Sequence, residues 1–560
     1  MDPPGSRRGE RRGRARALLP GAVIALAFLF VGLSVLDDFG MTWDENESYG
    51  AGLQNLEIVR TVAAGGTDFA WPWHELRGYQ FLFDTARAGF ALLVAPAVGG
   101  PGLRGPGLAP VPIEAFHLFH LLLSSATLFL TYAIALEVSG RVRTGVLSAL
   151  VLATTPKFVA HSQNNPKDAV GLLVFALAVW AVARATRAVR EGGGRGSFGW
   201  AGAAVGLAFA SHVLSALLVP VAGLWVLWRH PGPVRRRLAA LTVLFGVAAA
   251  VAFLLWPWLW GDPLIRTARI VRRVATYEVP IAVLYLGRIY AAAATPWHYF
   301  LGSLLAATPV AFTLAALFGG WEAFRSRSVR LARESATREE APSRLAGLAL
   351  LWLAVPVAVE AFAGARYDGV RHLLVVLPAL ALLAGVGLDR LLARARTPAV
   401  PPAARAAARA AAVAAAVAWL WLLADLARYH PYQDAYLNAP VRAALDRPAE
   451  EVFELEYWGS SLKEGAAWLN DHAPPGSRVL VPVAAHCAAP YLARDLVLVA
   501  PDPPTDRAEA DYLMTITRRT FFTPQVDVVR KRGRPVFTIE RPGGTLLEVY
   551  RLDEPRPAFR

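Results

Sequence analysis

The chain has 560 residues, of which 55% are hydrophobic and only 18% are charged, and its mean hydropathy is +0.38. This composition excludes a set of ordinary soluble domains and indicates a protein that crosses a membrane many times. The formal net charge is +14, but the arginines cluster between apolar runs, as in cytoplasmic loops, and not as on a nucleic-acid-binding surface. The single cysteine, Cys487, excludes an internal disulfide, and no Cys/His cluster has zinc spacing.

The apolar runs predict a mainly α protein with about eleven transmembrane helices. The first run lacks a small-residue cleavage site before Asp37-Asp38, so we interpret it as an uncleaved span. The predicted spans are 18–36, 113–136, 145–159, 168–183, 200–210, 213–228, 238–256, 299–318, 346–362, 373–388 and 406–426.

An odd number of spans places the two ends of the chain on opposite sides of the membrane. We predict a basic cytoplasmic tail at 1–17, a transmembrane domain at 18–426 and an extracytoplasmic α/β domain at 427–560. Within the transmembrane domain, the segment 37–110 is expected to be a large external loop, with an aromatic group at 69–74 suited to an interfacial helix. The C-terminal domain is predicted from a helical stretch at 461–470 and short β-branched runs at 478–483, 496–499, 512–516, 536–539 and 546–550.

An acidic motif, Thr42-Trp43-Asp44-Glu45-Asn46-Glu47, follows the first apolar run. Carboxylates at a membrane surface are costly to bury, and one of them can take a proton from an incoming hydroxyl group. We therefore interpret Asp44 as a candidate general base, with Glu45 beside it. The spacing of Thr42 and Glu45 also fits a capping box, in which case the motif only begins a surface helix.

A short loop, 156–168, carries two of the four lysines in the chain, Lys157 and Lys167. Its other polar residues include His161, Asn164, Asn165 and Asp168. Such a set at a membrane surface can hold a phosphate by point charge and hydrogen bonds. The alternative is an Asn-Pro turn, with Asp168 near the N-terminus of the next helix.

A third polar loop between two apolar runs reads Arg366-Tyr367-Asp368-Gly369-Val370-Arg371-His372. Arginines that snorkel at an interface are the plain alternative here. Gathered with the other two loops in one outer cleft, this loop would offer a carboxylate and several cations. That combination suits the displacement of a phosphate leaving group without a redox cofactor.

Taken together, these stretches resemble one family. The matching stretches are Trp43-Asp44-Glu45, His161-Ser162-Gln163-Asn164-Asn165-Pro166-Lys167-Asp168 and Asp368-Gly369-Val370-Arg371-His372. They are similar to bacterial polyprenyl-phosphate-dependent glycosyltransferases of the GT-C class, the superfamily of the protein O-mannosyltransferases and the lipid A aminoarabinose transferase. Further similar elements are Pro296-Trp297-His298-Tyr299, Asn438 and Tyr457-Trp458-Gly459. The similarity extends over most of the chain, and the Asn-Asn-Pro-Lys-Asp block is its most specific element.

The resemblance implies an inverting sugar transfer from a lipid phosphate on the outer leaflet, with Asp44 as general base and Glu45 assisting or orienting it. It also implies that the donor phosphate lies near Lys167, Arg371 and His372. The remaining cleft residues would then be His161, Asn164, Asn165, Asp168 and Asp368. One departure is Phe119-His120, where members of the family often carry Arg-His, and we expect Arg366 to supply the missing cation.

The predicted protein is thus a glycosyltransferase of the cytoplasmic membrane. Its expected partners are a polyprenyl-phosphate-linked sugar, membrane lipids, and an acceptor lipid, glycan or protein, without nucleic acid. No cofactor or metal is expected, because a lipid phosphate is already a good leaving group, although the outer loops leave room for a divalent ion. The alternatives are a lipid or solute transporter or flippase, with inverted repeats and charges deep within its spans, and an assembly factor for envelope export.

Overall fold

A computed structural model describes residues 4–66, 80–100, 102–103, 111–194, 196–275, 280–330, 340–362, 365–499 and 510–552. The aromatic group at 69–74 lies outside the described residues. Within them, the helices before the C-terminal domain are α1 Pro4–Ser34, α2 Glu45–Ala63, α3 Phe81–Val94, α4 Ile113–Ser139, α5 Val142–Ala153, α6 Pro156–Asn164, α7 Asp168–Arg190, α8 Gly196–Ser211, α9 Leu218–Arg229, α10 Val234–Leu255, α11 Pro263–Ala275, α12 Tyr299–Ala307, α13 Val310–Arg330, α14 Glu340–Ala361, α15 Leu377–Arg396 and α16 Pro402–Tyr429.

Seven segments in the described part of the chain are long and apolar enough to cross a membrane, so the protein is a multi-pass membrane protein. They are Ala15–Ser34, Ile113–Ser139, Asp168–Arg190, Val234–Leu255, Pro342–Ala361, Arg371–Arg396 and Pro402–Tyr429. An eighth is added if α12 and α13, which are bent by 115°, form one broken span.

The remaining predicted spans correspond to shorter or broken helices. The apolar helix Val142–Ala153 covers only the first part of the predicted span 145–159, and Val213–Arg229 covers the predicted span 213–228. Both are shorter than a full crossing. The predicted span 145–159 is interrupted before Pro156, which begins α6, and the predicted span 299–318 is bent just before Val310, where Pro309 precedes α13. Proline disfavours continuation of a helix from the residues before it, which accounts for both breaks.

The segment Arg371–Arg396 lies at the centre of the bundle, where 94% of its apolar window is buried. Its ion pairs lie toward its two ends and include Arg371 at one end and, toward the other, Asp389, which pairs with Arg141 at 3.3 Å. The distance between these positions along the segment is about 30 Å, the thickness of a bilayer core. By contrast, α16 has an exposed apolar face suited to lipid, which includes Val413, Val417 and Leu420.

Close helix packing beside this central segment depends on small residues. A Cβ atom placed on Gly387 would lie 2.0 Å from the carbonyl oxygen of Ala315 in α13. Glycine therefore allows α13 and α15 to approach backbone to backbone, as small residues do in membrane bundles.

Two short hairpins and the C-terminal sheet complete the fold. The strands are β1 Gly102–Leu103, β2 Val111–Pro112, β3 Ala282–Tyr285, β4 Arg288–Ala291, β5 Arg478–Leu480, β6 Val497–Val499, β7 Tyr512–Ile516, β8 Phe537–Arg541 and β9 Gly544–Arg551. The last five form one sheet in the order β6-β5-β7-β9-β8, with β5 parallel to β6 and β7, and β9 antiparallel to β7 and β8. The domain also contains α17 Ala439–Ala444, α18 Leu462–His472, α19 Ala485–Ala488 and α20 Pro524–Arg532. The predicted mainly α membrane fold with a small C-terminal α/β domain is confirmed; the hairpin of β3 and β4 was not predicted.

The C-terminal domain packs on the loops at one end of the bundle. The N–H of Met41 donates to the hydroxyl oxygen of Tyr491 at 2.9 Å. The N–H of Asn438 donates to the carbonyl oxygen of Ala306, at the end of α12, at 2.9 Å. These contacts position the domain over the acidic motif.

Candidate active site

Asp44 immediately precedes α2 and contacts residues from both of the other polar loops. Its Oδ1 atom lies 3.1 Å from Nζ of Lys167, and its Oδ2 atom accepts a hydrogen bond from Nη2 of Arg371. Its carboxylate makes no capping hydrogen bond to α2. The motif is anchored to the C-terminal domain, because the N–H of Trp43 donates to the carbonyl oxygen of Trp458 at 2.9 Å. Asp44 therefore faces two cations.

These two cations decide the charge of Asp44. Burial is the largest influence and acts to raise its pKa, but Arg371 and Lys167 together outweigh it. The pKa of Asp44 therefore lies below its ordinary value, and the carboxylate is ionised at neutral pH. Its side chain remains 11% exposed, so the group is within reach of a molecule that enters from the solvent side.

Glu45 faces the interior of the loop. Its Oε2 atom accepts a hydrogen bond from the N–H of Thr42 at 2.7 Å, and its Oε1 atom lies 2.9 Å from Nε2 of His117 in α4. The hydroxyl of Thr42 donates to the carbonyl oxygen of Asn164 at 2.7 Å, so only the glutamate half of the capping box is formed. Glu45 is completely buried, and its contacts hold the loop that carries Asp44.

The second polar loop is ordered around Asn165. Its Oδ1 atom accepts the N–H groups of Lys167 and Asp168 at 3.2 and 3.0 Å, which forms the turn that starts α7. Its Nδ2 atom donates to Oδ2 of Asp168 at 2.8 Å and lies 2.9 Å from Nδ1 of His161. Asn164 donates to the carbonyl oxygen of Gly40 at 3.3 Å. The predicted Asn-Pro turn is therefore present, and it also orients the polar residues of the loop.

His161 is a buried neutral residue beneath this turn. Burial, followed by the charge of Lys157, lowers the pKa of His161 to about 3. Its Nε2 atom lies 3.4 Å from the hydroxyl oxygen of Tyr457, and its ring packs edge-on against Trp458 with centroids 6.1 Å apart. His161 therefore links the loop to the C-terminal domain and carries no charge at neutral pH.

Arg371 is the centre of the site. Its Nη1 atom donates to Oδ2 of Asp368 at 2.9 Å and its Nε atom to Oδ2 of Asp168 at 3.2 Å, while Nη2 contacts Asp44. The guanidinium also lies 4.3 Å from the ring centroid of Trp458. Three carboxylates thus share one guanidinium, and Lys167 adds a second cation. We call Asp44, Lys167, Asp168, Asp368 and Arg371 the Arg371 cluster. The described residues contain no group of three or more His, Cys, Asp or Glu side chains that could hold a metal ion.

Arg366 and His372 were predicted to bind the donor phosphate, but the contacts described for them lie outside the Arg371 cluster. Arg366 donates from Nε to the carbonyl oxygen of Thr295 at 2.9 Å and from Nη1 to that of Ala361 at 3.2 Å, which ties two loops together. His372 packs edge-on against Tyr367 with ring centroids 4.6 Å apart. These contacts support structural roles for Arg366 and His372.

Arg87 lies beside the position where the missing arginine was expected. It is fully buried, pairs with Asp84 at 3.1 Å, and lies 5.1 Å from the ring centroid of Phe116 and 5.9 Å from that of Phe119. Burial raises the pKa of Asp84 to about 6, against the opposing charge of Arg87. The cation next to Phe119 is thus Arg87, and the role expected for Arg366 at the donor phosphate stays a prediction. A single Asp-x-x-Arg spacing on a predicted external loop was too weak a signal to find it.

The C-terminal domain supplies a further residue that the sequence did not reveal. Arg518 follows β7, and its Nη2 atom donates to Oδ1 of Asp368 at 2.8 Å, while Nη1 donates to the carbonyl oxygen of Tyr457 at 3.2 Å. Asp368 has a φ of +54°, so its carboxylate is presented from a left-handed turn to Arg371 on one side and Arg518 on the other.

Trp43 forms the rim of the site next to Asp44. Its side chain is 37% exposed, and its ring lies 5.4 Å from that of His486 and 5.9 Å from that of Phe521. Both neighbours belong to the C-terminal domain. An aromatic wall beside a charged centre is typical of sites that bind a partly apolar ligand.

A second buried charge cluster lies where the C-terminal domain meets α6. Nζ of Lys157 donates to the carbonyl oxygen of Asp434, and Glu456 accepts the N–H groups of Gly459 and Ser460. Burial, followed by the neighbouring charge of Asp434, raises the pKa of Glu456 above its ordinary value.

The raised pKa of Glu456 predicts a pH-dependent stability. The folded protein holds the proton of the Glu456 carboxyl more tightly than the unfolded chain does. The protonated carboxyl therefore contributes to the stability of the fold below its ordinary pKa of 4.5, and this contribution is lost as the pH rises through the raised pKa. We expect the thermal unfolding midpoint to fall between about pH 5 and about pH 8, and Glu456→Gln to reduce that fall. The exposed Glu540→Gln is the control, and an equal fall in both variants would contradict the assignment.

Residues 108–256 match the family model described as dolichyl-phosphate-mannose-protein mannosyltransferase. No curated protein sequence shows significant similarity to the chain.

Several solved structures can be aligned with this chain. The ArnT structure from Cupriavidus metallidurans bound to undecaprenyl phosphate is 16% identical, covers 94% of this chain and 97% of its own, and has a TM-score of 0.45. The oligosaccharyltransferase AglB from Archaeoglobus fulgidus is 11% identical, covers 98% of this chain and 75% of its own, and has a TM-score of 0.46. The protein O-mannosyltransferase complex Pmt1-Pmt2 from S. cerevisiae is 16% identical, covers 49% of this chain and 39% of its own, and has a TM-score of 0.33.

The family match includes α4 to α10 and therefore both His117, which contacts Glu45, and the whole Asn165 turn. The resemblance predicted from the motifs is thus confirmed over residues 108–256: the chain is similar to the polyprenyl-phosphate-dependent glycosyltransferases of the GT-C class, through its match to the dolichyl-phosphate-mannose-protein mannosyltransferases.

Proposed function

We propose that this chain is an inverting glycosyltransferase that moves a sugar from a polyprenyl-phosphate donor to an acceptor hydroxyl group. The observation that carries the proposal is the Arg371 cluster, in which Asp44 from one loop lies 3.1 Å from Lys167 of a second and contacts Arg371 of a third. A carboxylate beside two cations has the parts needed to deprotonate a hydroxyl group and to receive a departing phosphate.

The reaction follows from these parts. The acceptor hydroxyl gives its proton to the Asp44 carboxylate while its oxygen forms a bond to the anomeric carbon of the sugar. The bond from that carbon to the phosphate oxygen breaks, and its electron pair leaves with the polyprenyl phosphate. Lys167 and Arg371 neutralise the negative charge that develops on the phosphate. Attack opposite the leaving group inverts the anomeric configuration.

Donor binding would also strengthen the base. Without a donor, Arg371 and Lys167 lower the pKa of Asp44, which makes the carboxylate a weak proton acceptor. A phosphate that shares these cations would weaken their hold on Asp44 and raise its pKa toward the range useful for general-base catalysis. The same two side chains would thus couple donor binding to activation of the acceptor.

Trp43 supports the placement of the sugar. Its partly exposed ring stands next to Asp44 and faces Phe521 of the C-terminal domain. The apolar face of a sugar ring could pack on this wall while its polar groups face the Arg371 cluster. In this arrangement the C-terminal domain forms one side of the acceptor cleft.

The proposed location is the cytoplasmic membrane, with the Arg371 cluster and the C-terminal domain on its outer face. Arginines at the opposite ends of the helices, such as Arg184, Arg187 and Arg190 at the end of α7, support this orientation through the positive-inside rule. A reporter fused after residue 426 is expected to be active only outside the cytoplasm. Cytoplasmic activity would overturn the orientation.

Transfer itself can be tested in cells. Removal of the gene is expected to eliminate one sugar from an envelope lipid, glycan or protein, and the intact chain but not Asp44→Asn should restore it. An unchanged set of glycans, with a lipid precursor accumulating on the inner leaflet, would instead favour the flippase alternative.

Lys167 is expected to act mainly on donor binding. Lys167→Gln removes the point charge 3.1 Å from Asp44, so we expect the KM for the polyprenyl-phosphate sugar to rise about ten- to a hundredfold, with a smaller change in kcat. Steady-state kinetics of the purified protein would measure this split. Lys531→Gln, at an exposed position in the C-terminal domain, is the matched control. A reduced kcat at an unchanged KM would contradict the assignment.

A further inference from the structure

A second cavity lies at the other end of the helical bundle. Its volume is about 510 Å³, and it is enclosed by the C-terminal ends of α4, α7 and α9 and the beginning of α14. Its lining contains five arginines: Arg141, Arg187, Arg190, Arg229 and Arg344. We call it the arginine cavity.

The arginine cavity is a full membrane thickness away from the candidate active site. Along α4, His117 contacts Glu45 of the acidic motif, and Glu137 lines the cavity. A helix rises about 1.5 Å per residue, so these two positions are separated by about 30 Å, the thickness of a bilayer core. The cavity therefore faces the opposite leaflet and belongs to no step of the proposed transfer.

Arginines outnumber acidic residues in the described lining of this cavity. The two acidic residues of its lining are Glu137 and Glu191, which lie 3.4 and 2.7 Å from the guanidinium of Arg187. Arg190 donates from Nη2 to the carbonyl oxygen of Arg229 at 2.7 Å, and Arg141 pairs with Asp389, just outside the lining, at 3.3 Å. A concave surface on which five guanidinium groups meet these three carboxylates attracts an anion, and guanidinium groups match the geometry of phosphate oxygens.

The surroundings of the cavity favour a lipid over a soluble anion. Arg229 lies 5.3 Å from the ring centroid of Trp228 and 6.0 Å from that of Trp225, and tryptophan is typical of the headgroup level of a bilayer. Next to these rings, α9 exposes Leu224 and Leu227. Acyl chains could lie on this apolar face while the headgroup enters the cavity.

We propose that the arginine cavity binds the phosphodiester headgroup of an anionic phospholipid from the leaflet opposite the Arg371 cluster. Basic pockets between membrane helices on the cytoplasmic side are able to hold such headgroups. The site is separate from the donor site by position, by leaflet and by the residues involved.

The experiment uses the full chain, purified and reconstituted in phosphatidylcholine nanodiscs, with fluorescent phosphatidylglycerol as the probe. We expect saturable binding that excess phosphatidylcholine does not displace. The double variant Arg187→Gln/Arg229→Gln is expected to weaken binding about tenfold or more. The control is Arg235→Gln, which removes one charge at the same end of the bundle but does not line the cavity, and it should change binding less than about twofold.

A variant that binds the lipid more tightly provides a test that misfolding cannot mimic. Glu191→Gln removes a negative charge from the cavity lining, so phosphatidylglycerol should bind about threefold more tightly. Displacement of the lipid probe by millimolar inorganic phosphate would show a site for soluble anions and overturn the proposal. An equal effect of Arg235→Gln and of each cavity variant would show that only net charge matters. Equal binding of phosphatidylcholine would also overturn the proposal of an anionic phospholipid site.

Discussion

Asp44→Asn is expected to reduce sugar transfer by about a thousandfold, because removal of a general base typically costs between 10² and 10⁴ in rate. The asparagine side chain has nearly the same size and can still accept a hydrogen bond from Arg371, but it cannot take the proton of the acceptor hydroxyl. Arg371 keeps Asp168 and Asp368 as partners, so no buried cation is left alone. The variant should therefore fold and insert into the membrane as the wild type does.

The measurement is transfer of labelled sugar by purified protein, together with thermal unfolding of the same samples. Asp446→Asn makes the same chemical change at a side chain that is 86% exposed, and it should keep wild-type activity. Glu45→Gln separates the two neighbouring acids, because Glu45 contacts Thr42 and His117 and is expected to affect stability more than the chemical step. Retained turnover in Asp44→Asn would remove Asp44 from the mechanism.

Arg371→Gln is expected to have the second large effect, on both stability and activity. Three carboxylates surround this guanidinium, and its side chain is only 15% exposed. Removing one partner of a buried charge group costs about 3–5 kcal/mol, because the remaining charges stay buried without compensation. We also expect kcat/KM to fall by about a hundredfold or more, since the cation would no longer stabilise the departing phosphate.

A second substitution, Arg371→Lys, separates the effect of the charge of Arg371 from the effect of the shape of its guanidinium group. Arg371→Lys keeps the charge but cannot contact three carboxylates at once or lie flat on Trp458, so it should restore stability only in part. The relevant measurements are the unfolding midpoint in detergent and single-turnover transfer rates. Arg428→Gln, at a half-exposed arginine of α16 that pairs with Asp425 at 3.4 Å, is the control and should leave the transfer rate unchanged. Full activity in Arg371→Gln would exclude this residue from the donor site.

In the candidate active site, local sequence patterns predicted some of the residues but not all of their contacts. The sequence singled out Asp44, Lys167 and Arg371 as residues of three separate loops, and the structure brings these side chains into contact. We expected Arg366 to supply the cation that is missing at Phe119-His120, yet the described hydrogen bonds of Arg366 go to backbone carbonyls, and Arg87 lies beside Phe119. Nearness in sequence does not determine which side of a loop a side chain faces.

In the C-terminal domain, local patterns likewise predicted the strands but not the contacts between distant residues. Runs of β-branched residues predicted its five strands, because alternation and turn residues are local properties. They did not predict that Arg518, just after β7, reaches Asp368, or that Trp458 covers Arg371. Both contacts join residues that are more than eighty positions apart in the chain and depend on how the domain docks on the bundle.

The sequence by itself determined that this is a mainly α membrane protein with a small C-terminal α/β domain and acidic and basic loops next to its spans, because hydropathy, charge placement and strand patterning act over short stretches. Only the tertiary structure decided that three carboxylates share Arg371, that Glu45 turns inward to His117, and that five arginines enclose a cavity at the far end of the bundle. Such arrangements arise from the packing of helices that are distant in sequence, and side chains distant in sequence meet only once that packing is made.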